Sequence, residues 1–205
     1  MKKEIRAFNF EVRAEQNEEH GHHLTGQPIV YNERTDLGWY DEIIDDEALA
    51  DTDLTDVRFL VNHNTDMIPL ARSRNNNANS TTQLEVVPGA GLSIRVDLDT
   101  ENNADARALY SAVGRGDITG MSFMFTVDKD AWDEANSEHP TRHIRNIAKV
   151  FEVSAVTFPA YSATSIQQRG LSDALESAKE SLESERVRLA EIERRKQKIR
   201  ILAEV

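Results

Sequence analysis

The sequence predicts a mainly β domain with a few helices, an α+β arrangement on an antiparallel sheet or barrel, followed by a C-terminal helix. Three observations carry this prediction. Apolar and polar residues alternate over short runs through most of the chain, the period of half-buried strands. Proline and glycine punctuate those runs at turn positions. Beyond Gly170 the apolar residues recur in steps of four and three, which is a heptad seam.

The elements follow in order. Ile5 and Ala7, then Phe8, Phe10 and Val12, read as the opening strand residues. A short helix is expected from about Asp46 to Ala50, and Val57, Phe59 and Val61 give the next strand. Asn75 to Ser80 is polar and of low complexity, an exposed loop; within it Asn79-Ser80-Thr81 matches a glycosylation acceptor but reads as loop in a chain with no secretory signal. Val86-Val87 and Leu92 flank Pro88-Gly89-Ala90-Gly91, where proline presets one dihedral and glycine permits positive φ, so this is a hairpin. Leu92, Ile94, Val96 and Leu98 continue as a strand. A second helix is expected from about Asn103 to Val113, with Ala106, Leu109, Tyr110 and Val113 on one side and Gly114 and Gly116 ending it. Strands follow at Met121 to Val127, His143 to Val150 and Val153 to Phe158.

The tail places Leu171, Leu175, Ala178, Leu182, Leu189, Ile192, Ile199 and Ala203 on its seam, interrupted by Glu185 and Lys196. Gly170 breaks what precedes it, and Ser172 or Asp173 can cap the first turn. The expected division is therefore a sheet domain at 1–169 and a heptad helix at 170–205.

Composition narrows the function. Of 205 residues, 36 are acidic and 24 basic, for a net charge of -12, which repels phosphate backbones and disfavours a nucleic-acid partner. Residues 170–205 hold eight of each sign, so the whole excess lies upstream. The absence of cysteine excludes thiol catalysis and disulfides. Met1-Lys2-Lys3-Glu4 opens into alternating charged and apolar residues, so the expectation is an intracellular, soluble protein with no signal peptide or membrane segment.

Three segments could carry chemistry. His63 lies in Asn62-His63-Asn64 at the exit of an apolar strand, where an imidazole is either an ordinary strand-end residue or a general base titrating near neutrality. Ser122 enters a strand of large apolar residues after Gly116-Asp117-Ile118-Thr119-Gly120; Phe123 and Phe125 take one face, Ser122 and Met124 the other. A buried hydroxyl there must be paired or used. Residue 124 is Met, so this is not the Gly-x-Ser-x-Gly elbow of an α/β-hydrolase. Glu152 projects opposite Phe151 and Val153, and either faces water or orients an imidazole.

Together, Val61-Asn62-His63-Asn64, Ile118 to Phe125 and Glu152-Val153-Ser154-Ala155-Val156-Thr157-Phe158-Pro159-Ala160 resemble the prohead protease family of tailed phages, over most of residues 3 to 165. That family is itself similar to the herpesvirus maturation protease, a serine protease on an antiparallel β-barrel ringed by helices. The resemblance implies a serine endopeptidase inside the immature capsid, in the host cytoplasm. It would remove scaffolding segments from the major capsid protein and also cut itself. Ser122 would be the nucleophile, His63 the general base and Glu152 the third member. Because herpesvirus enzymes use a second histidine there, His139 and His143 stand as alternatives to Glu152, and Asp117 reads as a cap or turn residue. The oxyanion-hole amides leave no sequence signature. No cofactor is implied, and no phosphate-cradling glycine loop is present.

Two rival readings remain. Glu18-Glu19-His20-Gly21-His22-His23 groups zinc- or nickel-type ligands without a known spacing, and so reads as a solvated turn or a metalloenzyme site. The chain could also be a non-enzymatic assembly protein acting through its heptad helix, paired with itself or with a scaffolding segment.

Overall fold

In the computed structural model, residues 2–8, 12–157 and 165–203 are described, with the side chains of residues 8 and 165–173 left aside. The architecture is mainly β with two helices. Strands β1 (Glu4–Phe8), β4 (Thr35–Asp36), β5 (Asp41–Ile44), β6 (Asp56–Val61), β7 (Ala71–Arg74), β10 (Gly120–Asp133) and β11 (Thr141–Val156) form one sheet. Strands β2 (Arg13–Asn17), β3 (Gly21–Val30), β8 (Thr82–Val87) and β9 (Gly91–Asp97) form another, in the order β2-β3-β9-β8. Most pairings are antiparallel, but β11 runs parallel to both β5 and β6. By these pairings the sheets are two open layers and not one closed ring.

Most of the core lies between them. Leu24, Ile29, Leu92, Ile94 and Val96 of the smaller sheet meet Val57, Phe59, Phe123, Phe125, Val150 and Val153 of the larger. Helix α1 (Ala104–Gly114) adds Ala106, Leu109 and Val113, as its periodicity predicts. Its N-cap is Asn103, whose side chain accepts from the amides of Asp105 and Ala106.

The expected hairpin forms between β8 and β9, with Val87 opposite Gly91. Gly91 has φ +129° and a Cβ there would lie 2.0 Å from the Ile29 carbonyl oxygen, so only glycine fits. The helix expected at Asp46 to Ala50 is instead a series of turns, because Glu47 takes φ +65° and breaks the helical path. Over the described residues, the two strands expected at 143–150 and 153–158 are one strand, β11, whose interruption is a bulge against β10 near Met124 and Phe125; residue 158 lies outside the described residues.

Helix α2 (Ser165–Ala203) passes through Gly170, where the sequence places a break. Tertiary contact offsets the modest cost of glycine in a helix. Ala178 and Leu182, with Leu175 and Leu189 beside them, pack on Tyr40, Trp132 and Ala135 in a second apolar cluster. Trp132 also donates to Ser181 Oγ at 3.0 Å. The seam is thus consumed by the chain's own sheet over its first half. Ile199 and Ala203, farther along, are exposed. No described helix is long and apolar enough to cross a membrane.

Candidate active site

One row of side chains crosses four strands of the larger sheet. Ala7 of β1 lies opposite Ser122 of β10, Ser122 opposite Ser154 of β11, and Ser154 opposite Leu60 of β6. Opposed residues share a face, with Cβ atoms roughly 4.5–5.5 Å apart in the antiparallel pairs. The next row, Phe123, Val153 and Phe59, turns to the core. Ser122 and Ser154 therefore project away from it, and Glu152, two residues before Ser154, shares their face.

His63 reaches this face from the end of β6. Its backbone and that of Asn62 both lie in the left-handed region, at φ +56° and +51°. Asn62 holds the turn: its amide donates to Ala155 O at 2.9 Å, and its side chain pairs with the backbone amide and hydroxyl of Thr157 at 2.9 and 3.0 Å. The imidazole thereby points its Nδ1 at Glu152 Oε1 in a hydrogen bond. The second carboxylate oxygen accepts from Ser154 Oγ at 2.6 Å, and Ser154 Oγ in turn accepts from the His63 backbone amide at 3.1 Å.

Glu152 is 3% exposed and therefore does not face water, one of the two positions its sequence setting allows. With Nδ1 donating to this carboxylate, the imidazole is held as the tautomer whose Nε2 carries a lone pair. That Nε2 is buried and has no hydrogen-bond partner among the described residues. Ser122 Oγ donates to Arg6 O of β1 at 2.7 Å. Ser122, Ser154 and His63 are all closed off from solvent.

The alternatives to Glu152 sit elsewhere. His143 Nδ1 bonds Asp45 Oδ1 at 2.7 Å, nine residues up β11 from Glu152, a separation of roughly 30 Å along an extended strand. His139 Nε2 bonds Asp41 Oδ1 at 3.0 Å on the surface, and Asp117 pairs with Arg115 in an exposed turn. In the 18–23 segment, His22 Nδ1 bonds Thr100 Oγ1 at 2.6 Å, beyond the end of the neighbouring β9, and His23 Nδ1 bonds Gly21 O at 3.1 Å. Among the described residues, three or more metal-type ligand atoms gather within 4.8 Å of one another only at Asp36, Asp41 and His139. Asp41 already accepts from His139 and Arg34, whose hydrogen bonds hold its carboxyl below the usual range.

Three participants escaped sequence reasoning. Ser154 enters it only inside the Glu152 motif, Asn62 only as a neighbour of His63, and Arg6 not at all. The Asn-His-Asn run is a legible signal for a left-handed strand exit, since these side chains tolerate positive φ better than most. No signal marks Arg6, which contributes a backbone carbonyl.

No curated protein and no solved structure matches the chain. The family model for the caudovirus prohead serine protease matches residues 8–179, which takes in every strand from β2 to β11, both hydroxyls, the imidazole, the carboxylate and the first part of α2. With most of its length so matched, the chain belongs to the caudovirus prohead serine protease family.

Proposed function

We propose that the chain is a serine endopeptidase of capsid maturation with Ser122 as nucleophile, His63 as general base and Glu152 as the carboxylate that orients it. The observation that carries this reading is the Glu152 to His63 Nδ1 bond, which leaves a buried Nε2, unpartnered among the described residues, on the face that Ser122 occupies. For attack, the Ser122 hydroxyl leaves the Arg6 carbonyl and gives its proton to Nε2 as Oγ bonds to the scissile carbonyl carbon. The imidazolium, stabilised by Glu152, then protonates the departing amine, and water hydrolyses the acyl-enzyme. Ser154 is the weaker nucleophile candidate because its hydrogen is committed to Glu152 and its oxygen to the His63 amide. Because the reacting groups are sealed from solvent, cleavage requires this face to open to a peptide.

The substrates in this reading are the scaffolding segment of the major capsid protein and the protease itself, inside the prohead. Residues 170–205 would serve as a docking or self-pairing helix beside a protease domain at 1–169, an arrangement favoured by the exposed Ile199, Ile201 and Leu202. A barrel of the herpesvirus-protease type would close where the two sheets adjoin, at the bonds from Arg72 N to Thr81 Oγ1 and Arg74 N to Ser80 Oγ, each 2.9 Å, between β7 and the residues leading into β8.

The test is co-expression with the capsid protein, read by intact mass. Ser122→Ala and His63→Ala should each lower cleavage by about a thousandfold or more, and Glu152→Gln by about 10⁴-fold if it acts as the triad carboxylate does, with melting temperatures retained. A Ser122→Ala protein that cleaves normally would remove the serine mechanism. One that supports assembly in full without any cleavage would favour the scaffold reading.

A further inference from the structure

We infer that Ser154 is a positioning residue for the proposed reaction: its hydroxyl locks the Glu152 carboxylate onto His63 so that Nε2 stays aimed at the nucleophile's face. The inference rests on the reading of Ser122, His63 and Glu152 given above and adds a fourth side chain to it.

The geometry is a closed ring. The His63 backbone amide donates to Ser154 Oγ at 3.1 Å, Ser154 Oγ donates to Glu152 Oε2 at 2.6 Å, and Glu152 Oε1 accepts from His63 Nδ1. His63 is thus tied to one carboxylate twice, through its ring directly and through its backbone by way of Ser154. A carboxylate held by a single bond can rotate about its last torsion, which is broad and roughly two-fold. Fixing Oε2 removes that freedom and leaves Oε1 only one direction to face.

The strand register makes this possible. Glu152 and Ser154 are two apart on β11 and so lie on one face, while β6 runs beside them to Val61, opposite Ala155, where the Asn62-His63 turn begins. The left-handed backbone at His63 then turns its N–H toward Ser154. All three side chains are buried, so water cannot replace the hydroxyl.

Ser154 also lies directly opposite Ser122. A residue in that place could be read as filling space beside the nucleophile, and the experiment must separate filling from orienting. The readout is the second-order rate of covalent labelling by a fluorophosphonate, in which Ser122 Oγ bonds phosphorus, fluoride departs and His63 accepts the proton. Rates and melting temperatures are measured on the full chain for the parent, Ser122→Ala, Ser154→Ala, Glu152→Gln and the Ser154→Ala/Glu152→Gln pair.

Ser154→Ala should label about 10²-fold more slowly, the scale of a loss of precise orientation. In the Glu152→Gln background it should add little further loss, because the hydroxyl acts through that carboxylate. Ser154→Thr, which retains the hydroxyl, should recover most of the rate. Parent-like labelling of Ser154→Ala, or losses that multiply across the double variant, overturns the inference while leaving the serine mechanism standing. A parent protein that does not label even when the capsid protein is present to open this face, or Ser122→Ala that does label, overturns both. Should Ser154→Ala fail to fold, Ser154→Cys preserves the volume with a weak donor and carries the same expected loss and the same overturning result.

Discussion

His63 enters the site on a backbone that most side chains avoid, and Asn62 beside it does the same. Positive φ at a non-glycine residue costs on the order of 1–3 kcal/mol, and it persists here because Asn62 is bonded to Thr157 at both ends of its amide. Asn62→Val replaces a tolerant residue with a β-branched one and removes both bonds. It should lower stability by about 2–4 kcal/mol and slow fluorophosphonate labelling, since His63 is displaced with the turn. Asn62→Gly keeps the backbone freedom and should lose less of both. Equal losses in the two variants, read by thermal melts and labelling rates, would show that side-chain bonding and not backbone conformation holds the imidazole.

Among the elements, α2 changes character along its length. Its first half packs Ala178 and Leu182 against Trp132 and Tyr40, while residues 193–203 are exposed throughout. Trp132 lies 5.9 Å from Trp39 in a stacked pair and hydrogen-bonds Ser181, which also bonds Asp130 at 2.8 Å. Trp132→Ala should cost about 3–5 kcal/mol and release the helix, read as new proteolytic cleavage within residues 165–190. Removing residues 193–205 should change stability by less than about 0.5 kcal/mol, because those described make no buried contact. A large drop on that truncation would mean the distal helix is paired in solution.

β1 extends the same lesson. Its alternation of Ile5 and Ala7 with Glu4 and Arg6 reads in sequence as an apolar face and a wet one. In the fold Glu4 and Arg6 are buried too. The pattern was legible and the burial was not, because a period of two says which residues share a face and nothing about what covers it.

Across the whole molecule, Glu4, Arg6, Glu42 and Arg142 form a buried ionic lattice joining β1, β5 and β11. Arg142 donates to Glu4 at 2.9 Å and Glu42 at 3.3 Å, and Arg6 to Glu4 at 2.8 Å and Glu42 at 2.6 Å. Burial alone would push the Glu4 carboxyl up, but the Arg6 and Arg142 guanidiniums outweigh it and hold it below the usual value. Burial beside the same cluster pushes the Tyr40 hydroxyl up to about 12. Arg142→Met leaves two buried carboxylates with half their compensation and should cost about 3–5 kcal/mol in a denaturant titration.

Acid stability follows from Glu4 and from a carboxyl outside the lattice, Asp53. Glu4 is depressed, and Asp53 is lowered to about 2 by hydrogen bonds from Lys149 and Thr55. Depressed carboxyls contribute stability that is fully present above their ordinary values of 4.5 and 3.8 and is lost as pH falls through the folded ones. The contribution of these two groups should therefore be constant from neutrality to about pH 5.5 and decline below about 4.5. In Glu4→Gln that acid decline should be shallower, and an unchanged slope in pH-dependent melts would exclude Glu4 as a contributor.

The sequence by itself determined the mainly β class, the α1 helix with its buried face, the hairpin at Pro88 to Gly91 and the three segments that carry His63, Ser122 and Glu152. These depend on local period, turn chemistry and residue type, all of which are written along the chain. Only the tertiary structure decided that β11 is one long strand pairing with three others, that α2 runs unbroken through Gly170, and that Ser154 closes a ring between His63 and Glu152. Each of these depends on strands distant in sequence coming into register, where a hydroxyl acquires a role from its neighbours across the sheet and not from the residues beside it.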